Sequence, residues 1–172
     1  MLFRSQGVLG NYKLTDLPFC EHCVFGKATR VKFAKAVHET QNQLDYIHSD
    51  LWGPSQVPSI GGARYFLTLI DDYSRKVWIY FLKNKNETFL KFKEWKIVVE
   101  TQVGRKVKKL RIDNGLEFLS NDFNSFYQKE GLATHRTIRY TFQQNGLAKR
   151  MNRTILERVR CMLSSSRLPK VF

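Results

Sequence analysis

A chain of 172 residues that is 42% hydrophobic and 13% aromatic carries enough apolar mass for one domain with a core, which excludes wholesale disorder. Its net charge of +14 exceeds what solubility requires and points to a polyanionic partner, nucleic acid first. The three cysteines, Cys20, Cys23 and Cys161, make no disulfide framework and suit a reducing compartment. No apolar run reaches the roughly 18 residues of a membrane span, so an intracellular chain with no membrane partner is expected, nucleus and cytoplasm not being separated.

Residues 1–40 read as a weakly patterned lead-in with one landmark, Phe19-Cys20-Glu21-His22-Cys23-Val24-Phe25-Gly26-Lys27. Cys20 and Cys23 have the spacing of a zinc knuckle, a hairpin offering two thiolates to one Zn²⁺. Zinc takes four ligands, and no second pair is evident: His22 sits inside the knuckle, while His38 and His48 have no paired spacing. This is half a site, and free thiols on a short turn are the other reading.

Residues 41–172 read as a second, larger domain. Leu44-Asp45-Tyr46-Ile47-His48-Ser49-Asp50-Leu51-Trp52 is a strand stopped by Gly53-Pro54, two breakers in succession. Tyr65 to Ile70 is a nearly continuous apolar run, as in a strand buried on both faces. The short link Asp71-Asp72-Tyr73-Ser74-Arg75 forces the next strand, Val77 to Leu82, to run antiparallel; capping or salt bridging is the expected work of Asp71 and Asp72. Asn86 can cap a helix from Glu87 to Val103 that presents Phe89, Phe92, Ile97 and Val99, with Gly104 as its stop.

Residues 107–112 form a fourth strand by alternation of Val107, Leu110 and Ile112 with basic residues, halted at Asp113-Asn114-Gly115. Residues 122–131 suggest a short helix with Phe123, Phe126 and Tyr127 inward, and residues 133–138 a fifth strand. Asn145-Gly146 opens a long amphipathic helix to about Ser164, with Leu147, Met151, Ile155, Val159 and Met162 as its apolar stripe and Cys161 as a core thiol. The order of elements gives an α/β fold, a five-stranded mixed sheet flanked by helices.

Two carboxylates stand out. Asp50 ends the first strand and Asp113 the fourth; with those strands side by side, both lie at one sheet edge. Such a pair suits Mg²⁺ or Mn²⁺, and two ions of this kind clamp the attacking and leaving oxygens of a phosphodiester displacement. From residue 131 onward there are nine Lys or Arg against the single acid Glu157. Lys149, Arg150, Arg153 and Arg160, on or beside the long helix, are the expected phosphate contacts.

The segments Leu44 through Pro54, Thr68-Leu69-Ile70-Asp71-Asp72-Tyr73-Ser74-Arg75, Arg111-Ile112-Asp113-Asn114-Gly115-Leu116-Glu117-Phe118 and Gln143-Gln144-Asn145-Gly146-Leu147-Ala148-Lys149-Arg150-Met151-Asn152-Arg153-Thr154 together resemble the integrase core of copia-type retrotransposon Pol polyproteins. The resemblance covers nearly the whole chain. It implies an RNase H-like fold, nucleic acid binding, DNA integration by two-metal chemistry, multimer assembly and a nuclear role. Cys20 and Cys23 resemble the second half of the family's His-His-Cys-Cys zinc module, whose paired histidines this chain lacks.

The family signature is Asp, Asp, then Glu with thirty-five residues between the last two. Asp50 and Asp113 match; residues 114–148 fill the gap, and Lys149 stands where the Glu belongs. Phe142 replaces the proline the family favours before Gln143. Glu157 is eight residues further on, about 12 Å along a helix, too far to substitute, and Glu117 offers outer support at most. The expectation is an integrase-type core with Asp-Asp-Lys in place of Asp-Asp-Glu and impaired binding of Mg²⁺ or Mn²⁺. The alternative reading is a non-catalytic remnant that binds DNA, or that pairs with itself or with intact integrase.

Overall fold

The computed structural model describes residues 40–113, 115, 118, 120–137 and 145–166. Cys20, Cys23, Glu117 and Phe142 lie outside the described residues, as does the whole lead-in before residue 40.

Five strands make one sheet: β1 (Ile47–Trp52), β2 (Tyr65–Asp71), β3 (Val77–Leu82), β4 (Lys109–Ile112) and β5 (Ala133–Arg136), in the spatial order β3-β2-β1-β4-β5. The first three form an antiparallel meander, while β4 runs parallel to β1 and β5 parallel to β4. Helices α1 (Glu87–Val103), α2 (Asn121–Glu130) and α3 (Gly146–Ser165) complete the element order. The expected mixed sheet with flanking helices is present. β1 runs to Trp52, the stop at Gly53-Pro54 holding as expected, so Asp50 lies within the strand, opposite Thr68 of β2, rather than at its end.

The period of two along each strand sorts the sheet into unlike faces. Ile47, Leu67, Leu69, Leu110 and Ile112 join Phe92, Trp95 and Val99 of α1 and Phe123 and Tyr127 of α2 in one apolar cluster. The alternate residues His48, Asp50, Thr68 and Arg111 are buried too, and α3 reaches this face through Asn152, which bonds Thr68 and Asp50. A polar layer under a helix is thus dictated by the same alternation that builds the core.

The link after β2 is held as expected. Asp71 accepts hydrogen bonds from the backbone of Leu44 and from Ser74, and Asp72 accepts from Thr40, His48 and Arg75. At the start of α1 the expected cap is absent: Asn86 makes no side-chain cap bond, and the Glu87 carboxylate takes the backbone N–H groups of Lys83 and Asn84 instead. Gly104 ends that helix at φ 68 as expected. Ile97, one of the apolar residues noted for this helix, is 64% exposed. The inner row is Phe92, Trp95, Lys96 and Val99, the i, i+3, i+4, i+7 set that one helix face allows. Lys96 tolerates this place because its ammonium bridges Glu100 and Glu130, tying α1 to the end of α2.

Helix α3 departs furthest from expectation. Only Ala148 and Asn152 are buried; Leu147, Met151, Ile155 and Val159 are half-buried, Met162 is 61% exposed, and Cys161 is an exposed thiol rather than a core one. The helix rests on β1 and β2 by its first turns, so its later stripe has no sheet beneath it.

Phe92 is fully buried and packs against Trp95, Phe123 and Phe126. Phe92→Ala should therefore cost about 3–5 kcal/mol in urea unfolding; a loss under about 1 kcal/mol would contradict this packing.

Candidate functional site

Asp50 is 6% exposed, and a buried carboxylate needs partners. Two amides supply them. Asn145, just ahead of α3, donates its Nδ2–H to Asp50 Oδ1 at 3.0 Å and to the carbonyl of Ser49 at 3.1 Å. Asn152, two turns into α3, donates to Asp50 Oδ2 at 2.8 Å. The Asn152 amide has no freedom to turn over, since its Oδ1 accepts from the Thr68 hydroxyl at 2.6 Å. Thr68 is the cross-strand partner of Asp50, so the three side chains form a closed polar stack between β1, β2 and α3. Among the described residues the buried Asn145 Oδ1 has no hydrogen-bond partner.

Asp113 follows β4, the parallel neighbour of β1. It is half-buried, and its Oδ1 accepts from the backbone N–H of Gly115 at 3.0 Å. The two carboxylates are close enough to repel. Burial first, and Asp113 second, push the Asp50 carboxyl up to about 7; the Lys149 ammonium and the two amides pull it back. The pairing of β1 with β4 and the docking of α3 therefore place Asp113 and Lys149 near Asp50, the three positions singled out from the sequence.

The four expected phosphate-binding cations do not share one surface. Lys149, Arg153 and Arg160 line a cleft of about 360 Å³ with Asp50, Trp52, Asn152 and Leu156. Arg150, one residue and about 100° further round the helix, lines a second groove with Arg75, Ile70, Leu147, Met151 and Thr154. Arg153 is already paired with Glu157, at 2.8 Å on the exposed side of α3.

Mg²⁺ or Mn²⁺ would draw on Asp50 and Asp113, and the residues present suit neither ion. Both Asp50 oxygens already accept from amides, and the Lys149 ammonium stands alongside. Among the described residues no group of three His, Cys, Asp or Glu converges on one point. Hard divalent cations prefer several ionised or carbonyl oxygens, a set not found here among the described residues.

Sequence reasoning found the charges and missed the amides. Asn145 reads as turn chemistry before Gly146, and its contacts with residues 49 and 50 span 96 and 95 positions. Asn152 gave a faint signal, because Asn is unfavourable inside a helix unless something holds it. Thr68 and Trp52 gave none.

Two outcomes follow from this geometry. The folded chain holds the Asp50 proton over a range where the unfolded chain, near 3.8, has lost it. Its stabilisation is complete below about pH 4 and is lost as pH rises through about 7. His48, held below its ordinary value by burial, contributes the opposite slope, so the informative comparison is with a variant. In metal-free buffer Asp50→Asn should flatten the decline in stability between about pH 5 and about pH 7.5, by about 1.4 kcal/mol for each pH unit below the midpoint. An unchanged slope would put the titration elsewhere. Thr68→Val, which strands the buried Asn152 Oδ1, should cost about 1–3 kcal/mol by thermal or urea unfolding; a neutral result would contradict the stack.

Comparison with known proteins bears on these positions. Residues 40–141 match the family model described as Integrase core domain. The chain is 42% identical over 171 residues to the Retrovirus-related Pol polyprotein from transposon TNT 1-94 of Nicotiana tabacum, covering 99% of this chain and 13% of that protein. It is 29% identical over 176 residues to the corresponding polyprotein from transposon RE1 of Arabidopsis thaliana, covering 97% and 12%. The chain thus spans about an eighth of the length of these relatives. Among solved structures, one described as a cryo-EM structure of the simian T-cell lymphotropic virus intasome in complex with PP2A regulatory subunit B56 gamma aligns at TM-score 0.66 and 16% identity, over 87% of this chain and 52% of that one. At that identity the likeness concerns the fold, which is RNase H-like.

Proposed function

Because the chain belongs to the integrase core domain family of retrotransposon Pol polyproteins, we propose that it is a DNA-binding integrase core whose strand-cutting and strand-joining chemistry is silenced at Lys149. One observation carries this reading: beside the carboxylate pair Asp50 and Asp113 helix α3 presents the Lys149 ammonium, close enough to oppose the rise in the Asp50 pKa. The family generally uses divalent metal ions. At about 5 Å and an effective dielectric near 20, one ammonium repels one divalent ion by roughly 6–7 kcal/mol before relaxation. Even heavily discounted, that disfavours the metal; and a reaction that needs its groups placed within fractions of an ångström does not survive such a loss.

What the remaining residues do is bind and screen. Lys149, Arg153 and Arg160 make one wall of the Asp50 cleft cationic, and Arg150 with Arg75 makes the next groove so. A phosphate backbone settling along α3 would be held by charge, without reading sequence. Self-association, or pairing with an intact integrase, belongs to the same reading, since family members act on DNA as multimers.

The catalytic half is tested by strand joining on element-end DNA with Mg²⁺ or Mn²⁺. The native chain should give no product, and Lys149→Glu should give detectable product or tighter metal binding; native joining as efficient as that of the variant would overturn the claim. For the binding half, each phosphate neutralised should add about 0.9 to the slope of log K against log salt. Arg150→Glu with Arg153→Glu should weaken duplex binding uniformly across sequences. Binding that is flat in salt and indifferent to both changes would reduce α3 to a solubilising face.

A further inference from the structure

The cleft beside Asp50 is not purely ionic. Its floor on the β1 side is Trp52, and its α3 wall carries Leu156 among Lys149, Arg153 and Arg160. Trp52 is half-buried and its ring lies stacked on Phe66, centroids 5.1 Å apart and planes 22° from parallel. The backbone immediately after it is also fixed. Gly53 has φ +133, and a Cβ there would come within 2.6 Å of the Tyr65 ring and 2.7 Å of the Arg64 carbonyl, so the chain turns against β2 with no room for another side chain. The indole is therefore braced from behind and from its own backbone while it lines an open cationic cleft.

Cations alone would serve any polyanion. A braced indole among cations serves one that also offers flat π faces, and in a duplex those faces are stacked away. We propose that the Trp52 cleft is a binding site for single-stranded DNA, in which an unpaired base stacks on Trp52 while its flanking phosphates meet Lys149, Arg153 and Arg160. This rests on the DNA-binding reading above and deepens it, assigning the unpaired strand to the cleft, with the exposed Arg153 at its rim shared with duplex lying along α3 beside Arg150. Trp52 is the residue that makes the discrimination; the three cations set affinity without it.

The test is fluorescence anisotropy with three labelled probes at one salt concentration: a short dT oligonucleotide, an abasic oligonucleotide of equal length and a blunt hairpin duplex. The native chain should bind dT at least about fivefold more tightly than the abasic strand, which has the same phosphates and no bases. Trp52→Ala should weaken dT binding by about five- to thirty-fold, close the gap between dT and abasic probes, and weaken duplex binding far less. Trp52→Phe should restore most of the dT affinity. Equal native affinity for dT and abasic strands overturns the proposal, even if Trp52→Ala fails to fold, while salt-dependent duplex binding would leave the broader reading standing. An equal loss on every probe in folded Trp52→Ala also overturns it. Absence of salt-dependent binding to any probe overturns both readings.

Discussion

The burial of the Asp50 carboxylate is the constraint on which the rest of the site depends. A central strand can hide a carboxylate only if the charge is shared, removed or neutralised. This chain does some of each. Asn145 and Asn152 share it by hydrogen bonds, the raised pKa lets a proton remove it, and Lys149 offsets it. The α3 helix contributes all three of these side chains from its first turns and the residue just ahead of them. Its docking is accordingly polar: Ala148 provides close approach, Asn152 the anchor, and the apolar stripe that the sequence advertises stays half in solvent.

That arrangement has a consequence for the family's metal chemistry. Where a carboxylate at position 149 would add a third negative charge, a lysine adds a positive one beside Asp50 and Asp113. On the proposed reading, Lys149 offsets part of the repulsion between Asp50 and Asp113 that a metal ion would otherwise relieve. The same lysine extends the basic face of α3 into the cleft, joining Arg153 and Arg160.

Most of the fold was legible because strand alternation and breakers are local signals. The Gly53-Pro54 stop, the tight link at Asp71, the Gly104 and Gly131 helix ends and the alternation before Asp113 all lie within a few residues of what they decide. The misreadings came where tertiary context chose among local options. Lys96 lies buried among the apolar residues of α1 because Glu100 and Glu130 receive its ammonium, while Ile97 stays exposed. Cys161 and Met162 fell outside the core because the sheet ends before the helix does. At the site, charges separated by the family spacing could be counted along the chain. The amide, hydroxyl and indole groups that hold or flank Asp50 could not, since Thr68 and Asn152 meet across 84 residues and Asn152 and Asp50 across 102.

The central claim is that the charge of Lys149, rather than merely the lack of a third carboxylate, keeps divalent metal from Asp50 and Asp113. Titration of Mn²⁺ by calorimetry into the native chain and into Lys149→Met isolates that charge, because methionine keeps the side-chain length and adds no ligand. A gain in affinity of about tenfold or more, equivalent to about 1.4 kcal/mol and abolished by also changing Asp50 to Asn, is the expected result. Equal Mn²⁺ affinity in the native chain and Lys149→Met would contradict it.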